Sequence, residues 1–262
     1  TWPLHGQGGS TLYHALFNGQ CGLDPYSAAA SELYQDVFAE GSFTGKGLLD
    51  VAAVHAVLSR RFPDGTLLSH DLIEGSIARC AVASDVTVAE DAPLHADVAA
   101  SRLHRWTRGD WQLLRFVFTQ PMVAINRWKM LDNLRRSLVA PSALALVLLS
   151  VAFGALPLPA ALAIVALAFV AGPLIGAMAA LVPGRDDIAL TRFYAGALDE
   201  LLRVAGAALW HLAQLLSMSL LYLDAIARAL WRGFVSHRLT LQWTTAAAAQ
   251  AAASTRLGDL VR

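Results

Sequence analysis

Cysteine is scarce: the 262 residues hold two, Cys21 and Cys80, with no CxxC pair and no histidine at ligand spacing. A structural zinc site takes about four ligands and is excluded. Two reduced, largely buried thiols in a cytosolic domain fit this usage better than a disulfide. Charge is thin as well, at 15% of residues against about 25% in an average globular chain. Twenty basic side chains cancel twenty acidic ones, which removes any general attraction to nucleic acid. No phosphate-binding GK[ST] follows a strand, so Gly6-Gln7-Gly8-Gly9 reads as a plain loop. Internal repeats and a signal peptide are also missing, and a chain beginning at Thr1 is expected to be a piece of something longer.

Apolar residues are abundant, at 56%, and they are unevenly placed. Residues 1–137 read as a water-soluble domain, whereas Leu138–Val182 carries no Asp, Glu, Lys or Arg. Leu138–Leu156 is long enough to cross a bilayer at about 20 residues per span. Pro157-Leu158-Pro159 makes a turn, and Ala160–Val182 returns. Arg135 and Arg136 precede this expected hairpin and Arg185 follows it, while the connection carries no charge. The positive-inside rule then puts the soluble domain and residue 185 onward on the cytoplasmic side of the membrane. Ile188 to about Ser236 reads as one long helical stretch, its middle (Val204–Leu223) either a third span or an interfacial helix. Ala246–Ala253 reads as a helical linker.

The chemistry of the soluble domain is concentrated in a few stretches. Thr66-Leu67-Leu68 reads as a short strand delivering His70 and Asp71, with Leu72-Ile73-Glu74 opening a helix. Asp71 is thus either a helix N-cap or a general base taking the proton of an attacking hydroxyl, and the two are compatible at the cleft edge of an open α/β sheet. His70 and Glu74 are read as support for Asp71. Ala81–Glu90 reads as a second strand and His95–Trp111 as a helix. On that helix Arg105 and Arg108 can bind a diphosphate, and Trp106 or Trp111 can stack on a sugar ring. The competing reading is an amphipathic helix on the membrane surface; Arg105 and Trp106 are assigned to the site, and Arg115, Arg127, Trp128 and Lys129 to the membrane interface. Glu40-Gly41-Ser42-Phe43-Thr44-Gly45-Lys46-Gly47 brackets a lysine with two glycines, so backbone can approach a ligand beside an ammonium. An ordinary exposed turn has the same composition.

Glu40–Asp50, Leu67–Gly75, His104–Gln112 and Asn126–Arg136 together resemble the glucosyltransferase region of cyclic β-1,2-glucan synthases, over most of residues 20–140 and more loosely through the membrane helices. The resemblance implies a processive, inverting transferase of the cellulose-synthase type, with UDP-glucose as donor and a growing glucan as acceptor. Asp71 matches the base at the end of a Thr-Glu-Asp-like block. Arg105 and Trp106 match the end of a Gln-x-x-Arg-Trp block that holds pyrophosphate and acceptor sugar. Arg102 stands where that block has Gln, which puts its own role in doubt. Phe43, Thr44, Gly45 and Lys46 resemble a loop lining the acceptor cleft, and Asp110 and Trp111 complete the substrate-binding set.

The Asp-x-Asp on which such transferases hold Mg²⁺ or Mn²⁺ with the donor diphosphate does not occur in this chain; Asp186-Asp187 lies beyond the hairpin. The chain alone is therefore expected to lack donor site and activity, and to depend on N- and C-terminal regions of a parent protein. The expected fold is α/β: residues 1–126 as the C-terminal, acceptor-side portion of a GT-A nucleotide-sugar transferase domain. Residues 127–262 are expected to supply an interfacial helix, the transmembrane hairpin (about 138–156 and 160–182), a further membrane or interfacial helix and a linker. A membrane scaffold or transport subunit is the alternative, and another nucleotide sugar on the same enzyme a third possibility.

Overall fold

The computed structural model describes residues 2–3, 11–17, 29–62, 65–83, 86, 89–90, 93–179, 181, 189–244 and 248. Its elements in order are β1 (Trp2–Pro3), α1 (Leu12–Phe17), α2 (Ala29–Phe38), α3 (Val51–Leu58), α4 (Asp71–Ala78), β2 (Ala89–Glu90), α5 (Ala96–Gln112), α6 (Leu114–Thr119), α7 (Ala124–Phe153), α8 (Leu158–Ala179), α9 (Leu190–Ala213) and α10 (Leu215–Trp231), followed by a π-helical turn at Arg232–Ser236.

The expected α/β domain is corrected: among the described residues the pairing of β1 with β2, two residues each, is the whole of the sheet. The physical reason lies in two glutamines. Leu68 N–H, in the stretch expected as a strand, donates to Gln112 Oε1 at 2.8 Å rather than to a neighbouring strand. Val82 N–H donates to Gln35 Oε1 at 2.6 Å, and Gln35 Nε2 donates back to Val82 O at 3.4 Å. Side-chain amides satisfy the backbone groups that a ladder would otherwise have paired.

Helix ends follow local chemistry. Asp50 caps α3 by accepting from Ala53 N–H at 3.0 Å. Asp71 and Glu74 sit in the first turn of α4, where negative charge meets the positive end of the helix dipole. His70, rather than Asp71, occupies the cap position, and it makes no side-chain capping bond. Gly154, at φ +64°, ends α7 in the left-handed conformation that glycine adopts without a steric penalty.

The chain divides into two compact units. The first comprises Thr1–His14, Asn18–Ser137 and Asp224–Arg262. Its core is Ile73 of α4, Leu113 and α6 residues Phe116 and Val117, and Met130 of α7, with Phe62, Leu67 and Leu72 packed against them. Phe62 meets Phe116 edge-on at 5.1 Å between ring centroids. Leu67 is therefore held by core packing while its neighbour's N–H is held by Gln112.

The second unit comprises Ala15–Phe17 and Leu138–Leu223. Here α8 packs on α9 through small buried side chains, Ala161 and Val165 on one and Val204, Ala207 and Ala208 on the other. The expected transmembrane hairpin is also corrected. Only α7, among the described residues, is long and apolar enough by itself to cross a membrane, with 22% of its most apolar window buried. Among the described residues the return arm counts only as a shorter apolar helix, Leu158–Gly172, and it starts earlier than expected: Leu158 and Pro159 already lie in the first turn of α8, where proline is tolerated. The long stretch expected over 188–236 breaks at Gln214 into α9 and α10, bent by 67°, and the bent pair passes the same test of length and polarity only when taken together. Arg185 and Asp186-Asp187 lie outside the described residues, as do Gly6–Gly9, Cys21 and, Ala248 apart, Ala246–Ala253.

Candidate functional site around Asp71

Asp71 opens α4 with its side chain 41% exposed, so its carboxylate is reachable from solvent. The 40–47 loop lies directly on it. Gly45 has φ +84°, and a Cβ added there would sit 2.9 Å from Asp71 Oδ2 and 3.0 Å from Cγ. Glycine at 45 serves both needs, the left-handed backbone and the close approach. Phe43 packs against Gly75 of α4, at a separation that leaves no room for a Cβ. The loop assigned to the acceptor side and the candidate base are thus one local assembly.

His70 and Glu74 flank the carboxylate. His70 Nδ1 lies 2.9 Å from Glu74 Oε1 and 4.0 Å from Asp71 Oδ1. The hydrogen bond to Glu74 pushes the imidazole's pKa above 6.5; burial opposes this, and the charges of Glu74 and Asp71 add to it. A raised histidine pKa gives stability that is fully present below 6.5 and is lost as pH rises through the raised value. Solvent at the half-exposed imidazole screens the effect and keeps it small. NMR of ¹³C-labelled histidine should place the His70 midpoint above 6.5, and Glu74→Gln should lower it. A midpoint unmoved by Glu74→Gln would dismiss the pairing.

The same three side chains bring one nitrogen and two carboxylate oxygens within 4.8 Å of one another, a possible cation site. It suits a diphosphate-bridging Mg²⁺ or Mn²⁺ poorly. Those hard ions favour oxygen-rich shells, and the imidazole nitrogen is already engaged by Glu74.

The cationic side of the site comes from α5. Gly109 lets α5 approach the Ser69 backbone, since a Cβ there would lie 2.5 Å from Ser69 Cβ. That contact brings the segment bearing Asp71 against the helix bearing Arg105. Burial lowers the Arg105 pKa, Arg102 lowers it further and Asp71 raises it, so Arg105 sits within the field of both. The Arg105 guanidinium stacks over Trp243 at 4.6 Å, and Arg102 stacks over Trp106 at the same distance. The Arg102–Trp106 pair is a direct contact between the departing position and its block.

Other assigned residues are engaged elsewhere. Asp110 accepts from Asn133 Nδ2 at 3.2 Å and Trp111 Nε1 donates to Ser137 Oγ at 2.9 Å, so both face α7. Thr44 and Lys46 lie on the loop between Phe43 and Gly47, Lys46 largely exposed. Arg108 is buried at 5% exposure and donates to the carbonyls of Gln242 (2.7 Å) and Thr240 (3.2 Å). Gln112 Nε2 adds a third bond, to Thr240 O at 3.0 Å. Residues 240–243 are therefore strapped to α5 by three side-chain bonds, ending in Trp243 over Arg105. Sequence reasoning missed this strap; the Leu241-Gln242-Trp243 run was its only mark. It also misplaced Lys129. Assigned to the membrane interface, Lys129 is 0% exposed, whereas Trp128 is 52% exposed. Arg127 donates from Nε to Val117 O at 2.9 Å, and Arg115 lies over the Phe116 ring.

No protein-family model matches the chain. Over 257 residues, 97% of its length, the chain is 38% identical to the cyclic beta-(1,2)-glucan synthase NdvB of Rhizobium meliloti (strain 1021). It spans 9% of the length of that protein. The chain is therefore similar, over nearly its whole length, to one region of a cyclic glucan synthase.

Proposed function

We propose that the chain is the acceptor-side region of a membrane-bound, inverting glucosyltransferase that adds glucose from UDP-glucose to a growing β-1,2-glucan in cyclic glucan synthesis. The observation that carries this reading is the seating of a solvent-reachable Asp71 carboxylate against Gly45, within the field of Arg105. Asp71 takes the proton from the acceptor hydroxyl as its oxygen attacks the anomeric carbon. The bond from that carbon to the diphosphate breaks, and UDP leaves with the electron pair. Arg105 pairs with the diphosphate, whose charge grows as it departs; the flat face of Trp243 borders this cation, and that of Trp106 borders Arg102. Glucose donation, donor binding and any metal ion belong to the intact enzyme, anchored in the bacterial inner membrane with this site in the cytoplasm. One helix long and apolar enough to cross a bilayer supports the anchoring.

The test is incorporation of labelled glucose from UDP-glucose by membranes carrying the intact synthase, wild type beside Arg105→Ala. A hydrogen bond to a charged group contributes about 1.5–3 kcal/mol, so kcat/KM for UDP-glucose should fall roughly ten- to a hundredfold. Unchanged kcat/KM removes Arg105 from the donor side.

A further inference from the structure

Beneath the loop that lies on Asp71 is a buried charge cluster that the reaction itself does not use. Glu40 is 2% exposed, and both its oxygens are taken: Arg79 Nη2 binds Oε1 at 2.6 Å and Asn126 Nδ2 donates to Oε2 at 3.0 Å. Asn126 also donates to Ser76 O at 3.4 Å. Lys129, one turn along α7 from Asn126, donates from Nζ to Gly41 O at 2.8 Å and Glu40 O at 3.4 Å, with the Tyr34 ring 4.9 Å away. From the other side Gly41 N–H donates to Cys80 O at 3.1 Å, so close that a Cβ at Gly41 would meet that carbonyl. A fully buried lysine is rare and costly unless its ammonium is matched by acceptors. Here the acceptors are main-chain carbonyls at the root of the 40–47 loop, so what the ammonium holds is the path of the backbone. Four residues further along, that path reaches Gly45 on the Asp71 carboxylate.

We propose that Lys129 is a positioning residue: its buried ammonium, seconded by Asn126 on Glu40, fixes the root of the 40–47 loop so that Gly45 is held on Asp71 and the acceptor hydroxyl is presented to it. This rests on Asp71 being the base. Lys129 touches no substrate; it acts through Gly41 and Gly45.

The test uses the intact synthase in membranes, with Lys129→Met, Lys129→Arg, Asn126→Ala and Asp71→Asn beside wild type. Glucose incorporation and peptide-resolved deuterium exchange are both read. A loop displaced by about 1 Å costs on the order of a hundredfold in rate. Lys129→Met should therefore lower kcat about a hundredfold with KM for UDP-glucose unchanged, because the donor side is untouched. Amides 41–47 should exchange about tenfold faster or more, and those of α5 should not. Lys129→Arg, which keeps a cation able to reach the carbonyls, should recover most of both. Asn126→Ala should show the same pattern at smaller size, and it decides the matter if Lys129→Met does not fold. Wild-type rate in Lys129→Met, or a lost rate with loop exchange unchanged, overturns the inference. If Asp71→Asn loses activity while Lys129→Met does not, only the positioning role falls; if neither loses it, the reading of the site falls as well.

Discussion

Replacing Asp71 by Asn should lower glucose incorporation by the intact synthase about 10²–10⁴-fold, the usual cost of losing a general base. The substitution keeps the shape of the carboxylate beside Gly45 and removes its capacity to take a proton. The close fit of Gly45 on this side chain, 2.9 Å from a notional Cβ to Oδ2, makes the isosteric change the informative one; a longer Glu would be driven into the loop. Binding of UDP should survive, because Arg105, the cation proposed to pair with the diphosphate, sits on α5. The alternative is a purely structural Asp71. As a first-turn residue of α4 it interacts with the helix dipole, a contribution of about 0.3–1 kcal/mol at an exposed site. A drop of that size in stability leaves the rate nearly unchanged. Near-normal incorporation with a slightly less stable protein would reduce Asp71 to a helix-start residue.

How far the sequence revealed this arrangement can be followed residue by residue. The helix carrying Arg105 was expected over His95–Trp111 and runs Ala96–Gln112, because apolar spacing and a histidine-aspartate start mark it locally. The helix opening at Asp71 was legible for the same reason. The strand expected at Thr66–Leu68 was not recoverable. A short apolar run looks alike whether a neighbouring strand or the side chain of Gln112, 44 residues away, satisfies its backbone. The interface assignment of Lys129 failed on a periodicity that was present but outweighed by composition. Asn126, Lys129 and Met130 fall at helical i, i+3 and i+4 spacing, one face of α7, and that face is buried. A cluster of Arg, Trp and Lys just before an apolar run resembles a membrane-surface belt. Which of these side chains turns inward depends on Glu40, far away in sequence. Trp243 illustrates the same limit: its place over Arg105 depends on Arg108 and Gln112 gripping carbonyls some 130 positions later.

Gly109→Ala provides the severest test of how the two halves of the site are joined. In an exposed helix interior this change stabilises by about 0.8–1.0 kcal/mol, since alanine loses less backbone entropy than glycine. At Gly109 the new Cβ would stand 2.5 Å from Ser69 Cβ, 3.0 Å from Ser69 N and 3.2 Å from its Cα. Carbon atoms in good contact sit about 3.5–4.0 Å apart, so α5 and the Ser69 segment must separate by about 1 Å. The obstacle includes main chain, which cannot rotate away as a side-chain tip would. Overpacking of this kind costs about 1–3 kcal/mol, which exceeds the propensity gain and leaves a net loss of about 0–2 kcal/mol. The functional effect should be larger. Ser69 lies two residues from Asp71 and Gly109 about one turn from Arg105, so the forced separation moves the segment bearing Asp71 away from the helix bearing Arg105, and a 1 Å misplacement costs on the order of 10²-fold in rate. The expected result is a folded synthase with incorporation reduced about a hundredfold and a modest loss in thermal stability. Gly196→Ala, at a position in α9 with nothing within 4 Å, is the matched control and should leave activity intact. Should Gly109→Ala instead stabilise the protein and retain full activity, the close approach of α5 to Ser69 would be refuted, and with it the joining of Asp71 to Arg105 in one site.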